Sequence, residues 1–122
     1  MIEEDYVSYE VAKLLQEKGF DTKCRSAYHN KCLVDYTLFG FCDGEDFVYA
    51  PSLASAMKLL REVNGLFVFI GNDDMDYYWQ IEDVLNRDEN YDPIIRTESY
   101  AGYKSYEEAV EAALEYTLKN LI

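Results

Sequence analysis

The sequence predicts an α+β fold in which an antiparallel sheet of four to five strands is packed by three serine-capped helices. Three observations carry this expectation. Three segments repeat apolar residues at helical spacing behind a serine, and the stretches between them are rich in β-branched and aromatic residues. No linker or low-complexity run divides the 122 residues, so one domain over 1–122 is expected.

The first helix is read from Ser8 to Gly19. Ser8 can accept an otherwise unpaired backbone N–H at the helix start. Val11, Leu14, Leu15 and the stem of Lys18 form a narrow stripe, and Gly19 followed by Phe20 is a stop signal. The second is read from Ser52 to Gly65. Pro51 holds Ala50 extended, and Leu53, Ala56, Met57, Leu60 and Val63 make the expected buried stripe. The third runs from Ser105 to the C-terminus. Ser105 and Glu108 have capping-box spacing, Glu107 and Glu108 suit the positive end of the helix dipole, and Glu115 precedes Lys119 by one turn. Its apolar set is Tyr106, Ala109, Val110, Ala113, Leu114, Thr117, Leu118 and Leu121.

Leu66 to Ile70 is a continuous β-branched and aromatic run, of the sort buried on both faces. Asn72, Asp73, Asp74 and Asp76 are turn formers, and Tyr77 to Ile81 resumes a strand, giving a hairpin with an acidic loop of four to six residues. Ile94 to Ser99 adds an edge strand behind Pro93. Earlier in the chain, Cys32 to Phe41 reads as a long strand, with Arg25 to His29 pairing with its beginning. A turn at Asp43-Gly44 and a short return at Phe47 to Tyr49 follow.

Charge narrows the function classes. The net charge is −13, and the last 61 residues carry 14 acidic and 4 basic side chains against 10 and 7 in the first 61. Direct nucleic-acid binding is disfavoured, because that affinity comes largely from Lys and Arg on phosphates. A basic protein partner is favoured by the same field. No apolar run approaches the length of a membrane span, and the acidic N-terminus lacks the features of a secretory signal. The expected compartment is the cytoplasm, which suits an odd count of 3 cysteines.

Candidate chemistry is sparse. Cys24, His29, Cys32 and Cys42 offer three thiols and an imidazole of the types that bind zinc, but at spacings without a Cys-x-x-Cys knuckle; core packing is the simpler reading. Asn72 to Asp76 offers oxygens for calcium, yet a calcium loop counted from Asn72 would need Gly and Glu where Tyr77 and Asp83 stand. With His29 the only histidine and no nucleophile-elbow glycines, no catalytic set and no cofactor are assigned. Aromatics are abundant: 12 Tyr, 6 Phe and 1 Trp. On one strand Tyr77, Trp79 and Ile81 share a face and Tyr78 and Gln80 the other. Tyr77, Tyr78, Trp79, Asp73, Asp74 and Asp76 are therefore the expected interaction surface, open to another protein or to a second copy in a homodimer.

The run from Tyr6 to Asp21 (Tyr-Val-Ser-Tyr-Glu-Val-Ala-Lys-Leu-Leu-Gln-Glu-Lys-Gly-Phe-Asp) is similar to the opening of a group of short phage and mobile-element proteins of gut anaerobes. Tyr49 to Val63 resembles their second block, with Leu59 where Trp is expected, and Tyr106 to Ile122 resembles their third. The resemblance spans roughly a third of the chain, in its three helices, and implies a mobile-element context and an intracellular product. It brings no activity or binding residues. The leading expectation is a non-enzymatic protein-binding protein, in its concrete form an acidic decoy for a host nucleic-acid-binding protein. The alternative is a metal protein or enzyme centred on Cys24, His29 and Cys32.

Overall fold

The computed structural model describes residues 5–20, 23–35 and 47–122. In chain order the elements are α1 (Tyr9–Glu17), β1 (Ser26–His29), β2 (Cys32–Asp35), β3 (Phe47–Tyr49), α2 (Leu53–Asn64), β4 (Leu66–Asp73), β5 (Asp76–Asp83), β6 (Arg96–Glu98) and α3 (Tyr106–Asn120).

All three helices begin at the expected serines. Ser8 Oγ accepts from Val11 N at 3.2 Å, Ser52 Oγ from Ser55 N at 3.1 Å and Ser105 Oγ from Glu108 N at 3.1 Å. Each bond satisfies one of the N–H groups a helix start leaves without an intrahelical acceptor. The Ser105 box closes one residue early: Glu108 Oε2 accepts from Lys104 N at 3.0 Å. At Ser8 the carboxylate comes from another helix, since Ser8 N donates to Glu111 Oε1 at 2.8 Å. α1 ends as its glycine foretells. Gly19 has φ 79°, its N–H bonds Gln16 O, and Phe20 N–H bonds Leu15 O, which is the Schellman pattern.

The fold is α+β, but its strands are divided. Among the described residues there are two three-stranded antiparallel sheets, ordered β2-β1-β3 and β4-β5-β6, rather than one sheet of four to five strands. The β1–β2 hairpin turns at Asn30 and Lys31, both with positive φ, as a two-residue turn matched to strand twist requires. The expected return strand Phe47–Tyr49 pairs with β1, not with β2, so β1 is central. The remainder of the expected long strand, from Tyr36 to Phe41, and the turn at Asp43-Gly44 lie outside the described residues.

The β4–β5 hairpin is tighter than expected. Asn72 pairs with Tyr77 and Asp73 with Asp76, leaving a two-residue tip of Asp74 and Met75. Asp74 takes the positive φ of 56° that the turn demands, a conformation Asp tolerates well. β6 lies on the far side of β5, within the expected Ile94 to Ser99 segment.

Two apolar clusters meet at α3. The larger gathers Val7, Val11 and Leu15 from the α1 side, Val48 and Ala50 from the first sheet, Leu53, Ala56 and Leu60 from α2, and Val110, Leu114 and Leu118 from α3. The smaller joins Leu66, Trp79 and Ile81 of the second sheet to Ala113, with Tyr116 and Leu121 packed alongside. α3 therefore shows one stripe to α1 and α2 and another to the second sheet. Thr117, wholly buried between them, donates its hydroxyl to Ala113 O at 2.8 Å and so leaves no unpaired polar group. Two expected core residues face outward: Val63 is 64% exposed, and Tyr106 is also exposed. Val63 lies in the last turn of α2, beyond Leu60 and before Gly65 turns the chain into β4.

Candidate functional site

The expected metal set is only partly brought together. His29 and Cys32 are cross-strand partners at the β1–β2 turn, and the Phe47 ring stacks on His29 from the other side at 4.5 Å. Cys24 lies before β1, and its thiol donates to Ser26 O at 3.1 Å. Burial pushes the Cys24 thiol up, which keeps it protonated and makes it a poor nucleophile. Cys42 lies outside the described residues. Among the described residues no group of three or more His, Cys, Asp and Glu side chains is placed to hold a metal ion, at Asn72 to Asp76 or elsewhere.

The interaction-surface residues separate by strand parity. Trp79 and Ile81 point to α3, and Trp79 packs on Tyr116 with ring centroids 4.9 Å apart. At 6% exposure Trp79 is core, not surface. Tyr77 stands on the same side, half-buried, and its backbone is bridged to Tyr103. Asp73, Asp74 and Met75 are exposed at the hairpin tip, Met75 88% so. Across that tip Asp73 opposes Asp76, a like-charge pair that would weaken the hairpin. Lys104 offsets it, its Nζ 2.7 Å from Asp76 Oδ1, and this hydrogen bond and charge raise the Lys104 pKa. The same contact ties the start of α3 to the hairpin tip.

Tyr78 belongs to the opposite face, which is the more open one. There the cross-strand rows are Phe67–Glu82–Arg96, Phe69–Gln80–Glu98 and Gly71–Tyr78. The Phe67 and Phe69 rings lie 6.0 Å apart, Phe69 is 43% exposed, and the Arg61 guanidinium sits over Phe67 at 5.7 Å. Tyr78 lies over Gly71, where a Cβ would come within 2.1 Å of the ring, so the glycine is what lets the aromatic lie flat on the edge strand. Glu82 accepts from Gln80 at 2.8 Å and from Arg96 at 3.2 Å, which leaves Glu98 as the outermost acid of the face.

Phe67 and Phe69 belong to the run expected to be buried on both faces, and the exposed Phe69 overturns that expectation. Their period-2 alternation with Leu66, Val68 and Ile70 was the available signal, and it was hidden because both halves of the alternation are apolar.

Below this face, Asp83 is 4% exposed and ends β5. Its carboxylate accepts from Leu85 N, Asn86 N and Asn86 Nδ2 at 2.9–3.0 Å. Those bonds, led by the Asn86 side chain, hold its pKa below the usual carboxylate value. Asp83 is accordingly a structural turn-former rather than a general base.

No family model, no curated protein and no solved structure significantly matches the chain. Among the described residues no helix is long and apolar enough to cross a membrane.

Proposed function

We propose that the chain is a non-enzymatic binding protein whose β4-β5-β6 sheet meets a basic protein partner. The observation that carries this reading is the outward row of Phe67, Phe69 and Tyr78, flanked by Glu82, Glu98 and the Asp73–Asp74 tip. Aromatic rings supply buried area at low entropic cost, and the surrounding carboxylates supply orientation and steering. The concrete form is an acidic decoy from a mobile element, occupying a host nucleic-acid-binding protein in the cytoplasm. The −13 charge and the resemblance of the three helical blocks support it.

An aromatic sheet face also suits nucleobase stacking, but such sites rely on surrounding cations, whereas this half of the chain holds 14 acidic and 4 basic residues. Two like-charged copies meeting by this face would repel for the same reason, which favours a basic partner over a homodimer. The test is affinity capture with wild type and Phe69→Asp from nuclease-treated lysate at low and high salt, with light scattering of the free chain. A stoichiometric basic protein, released by salt and lost with Phe69→Asp, is the expected result. Binding of RNA by the purified chain in a separate titration, or a salt-insensitive dimer with no partner, contradicts the reading.

A further inference from the structure

One cavity lies between the segment leading into β1 and the side of α2 that carries Ser55, Lys58, Leu59 and Glu62. Its volume is about 500 Å³, within the ordinary range for small-molecule sites. Its charge is opposite to that of the chain. Of 11 basic residues in the sequence, Lys23, Arg25 and Lys58 line it, against a single lining carboxylate, Glu62.

The cations sit on two separate stretches of the chain. Lys23 and Arg25 precede β1, and Lys58 lies on α2 one turn past the Ser55 hydroxyl. Ser52 Oγ donates to Ser55 Oγ at 3.0 Å and accepts from Ser55 N, so the Ser55 hydroxyl receives one bond and has its own proton to give. The helix start itself adds little, since Leu53 N is already bonded to Asp5 O. The remaining wall mixes the apolar surfaces of Tyr6, Pro51 and Leu59 with Cys24, Ser26 and Ser52. Two of the charges, Arg25 and Lys58, are held loosely. Arg25 pairs with Asp35 at 3.3 Å and Lys58 with Glu62 at 3.9 Å, both pairs largely in solvent, where such bridges contribute little and exchange readily.

We propose that this cavity binds a small phosphorylated molecule, its phosphate held by Arg25, Lys58, Lys23 and the Ser55 hydroxyl and its organic body against Tyr6, Pro51 and Leu59. Arg and Lys together match a dianionic phosphate better than a single carboxylate, through the planar fork of one and the point charge of the other. A bare phosphate would leave most of the 500 Å³ unfilled, which is why the ligand carries a body such as a nucleoside. The site is independent of the protein-binding face and stands or falls separately.

The test is calorimetric titration of the full chain with adenosine 5′-monophosphate, inorganic phosphate and adenosine. The variants are Arg25→Met/Lys58→Met and, as a control remote from the cavity, Lys119→Met. The monophosphate should bind at least about tenfold more tightly than adenosine. The double variant should lose about tenfold or more in affinity with an unchanged circular dichroism spectrum, and Lys119→Met should bind as wild type. No binding up to about 5 mM ligand overturns the proposal, as does equal binding of adenosine or an unimpaired double variant.

Discussion

The two sheets use their second faces differently. In the first, Tyr28 and Val48 turn toward the α1–α2 core, and Tyr28 donates its hydroxyl to Val7 O at 2.6 Å. On the reverse, Ala27 is fully buried and His29, Phe47 and Tyr49 are half-buried, while Cys32 opposite His29 is exposed. In the second sheet, Leu66, Trp79 and Ile81 are packed under α3, while Phe69 on the reverse remains 43% exposed. Strands of similar apolar content thus end in different environments. What distinguishes them is where α3 lies, and it lies against one side of β4 and β5 only. Apolar residues that fold does not bury are the ones free to act on something else.

The largest effects should come from breaking the covered side. Leu114 is wholly buried at the centre of α3, so Leu114→Ala should cost about 3 kcal/mol and unfold both sheets in one urea transition. Separate transitions for the two sheets would show that α3 does not couple them. Ile81→Ala should cost a similar 2–4 kcal/mol or so, whereas Phe69→Ala, one strand away on the other face, should change stability by less than about 1 kcal/mol. Equal costs at the two positions would show that the outer face is core after all. Trp79→Phe should be milder than Trp79→Ala, because Phe refills much of the ring volume that Ala leaves empty, and losing the indole N–H, which has no acceptor, leaves nothing unpaired in either.

A smaller, pH-dependent effect belongs to the Ser8–Glu111 contact that joins α1 to α3. Burial raises the Glu111 pKa, so the folded chain holds this proton more tightly than the unfolded chain does. The group therefore favours folding below its unfolded value of about 4.3, and that advantage is lost as pH rises through the folded value. Glu111→Gln keeps an acceptor for Ser8 N–H and removes the charge. It should match or exceed wild-type stability at pH 7, with the gap narrowing toward pH 4. Glu111→Ala leaves that N–H unmatched and should lose about 1 kcal/mol. Gly71→Ala should act locally, displacing the Tyr78 ring from the edge strand, visible as a changed tyrosine environment by NMR.

Local chemistry was legible in the sequence and non-local pairing was not. Ser8, Ser52 and Ser105 cap helices because a cap needs only a hydroxyl and an N–H three residues on, and Gly19 and Gly65 end helices because they accept positive φ. The division into two sheets depends on which strands meet. Nothing in Phe47 to Tyr49 says that they pair with β1 rather than β2. The hairpin was over-lengthened because Asn72 and Asp76 are turn formers that here sit in the ladder. The candidate surface was half legible. Parity separated Tyr78 from Trp79, but only the position of α3 decides which of the two faces is open. The cavity lined by Lys23, Arg25 and Lys58 was not legible, since those residues line one cavity only where the segment before β1 comes beside α2.

The outer face of β4-β5-β6 is proposed to bind a basic protein rather than to stabilise the chain. Parallel measurement of urea stability and salt-dependent partner capture for Phe69→Asp tests this proposal most directly. Stability within about 1 kcal/mol of wild type together with loss of the captured partner is the expected result. Wild-type capture by a folded Phe69→Asp chain, or its outright unfolding, contradicts it.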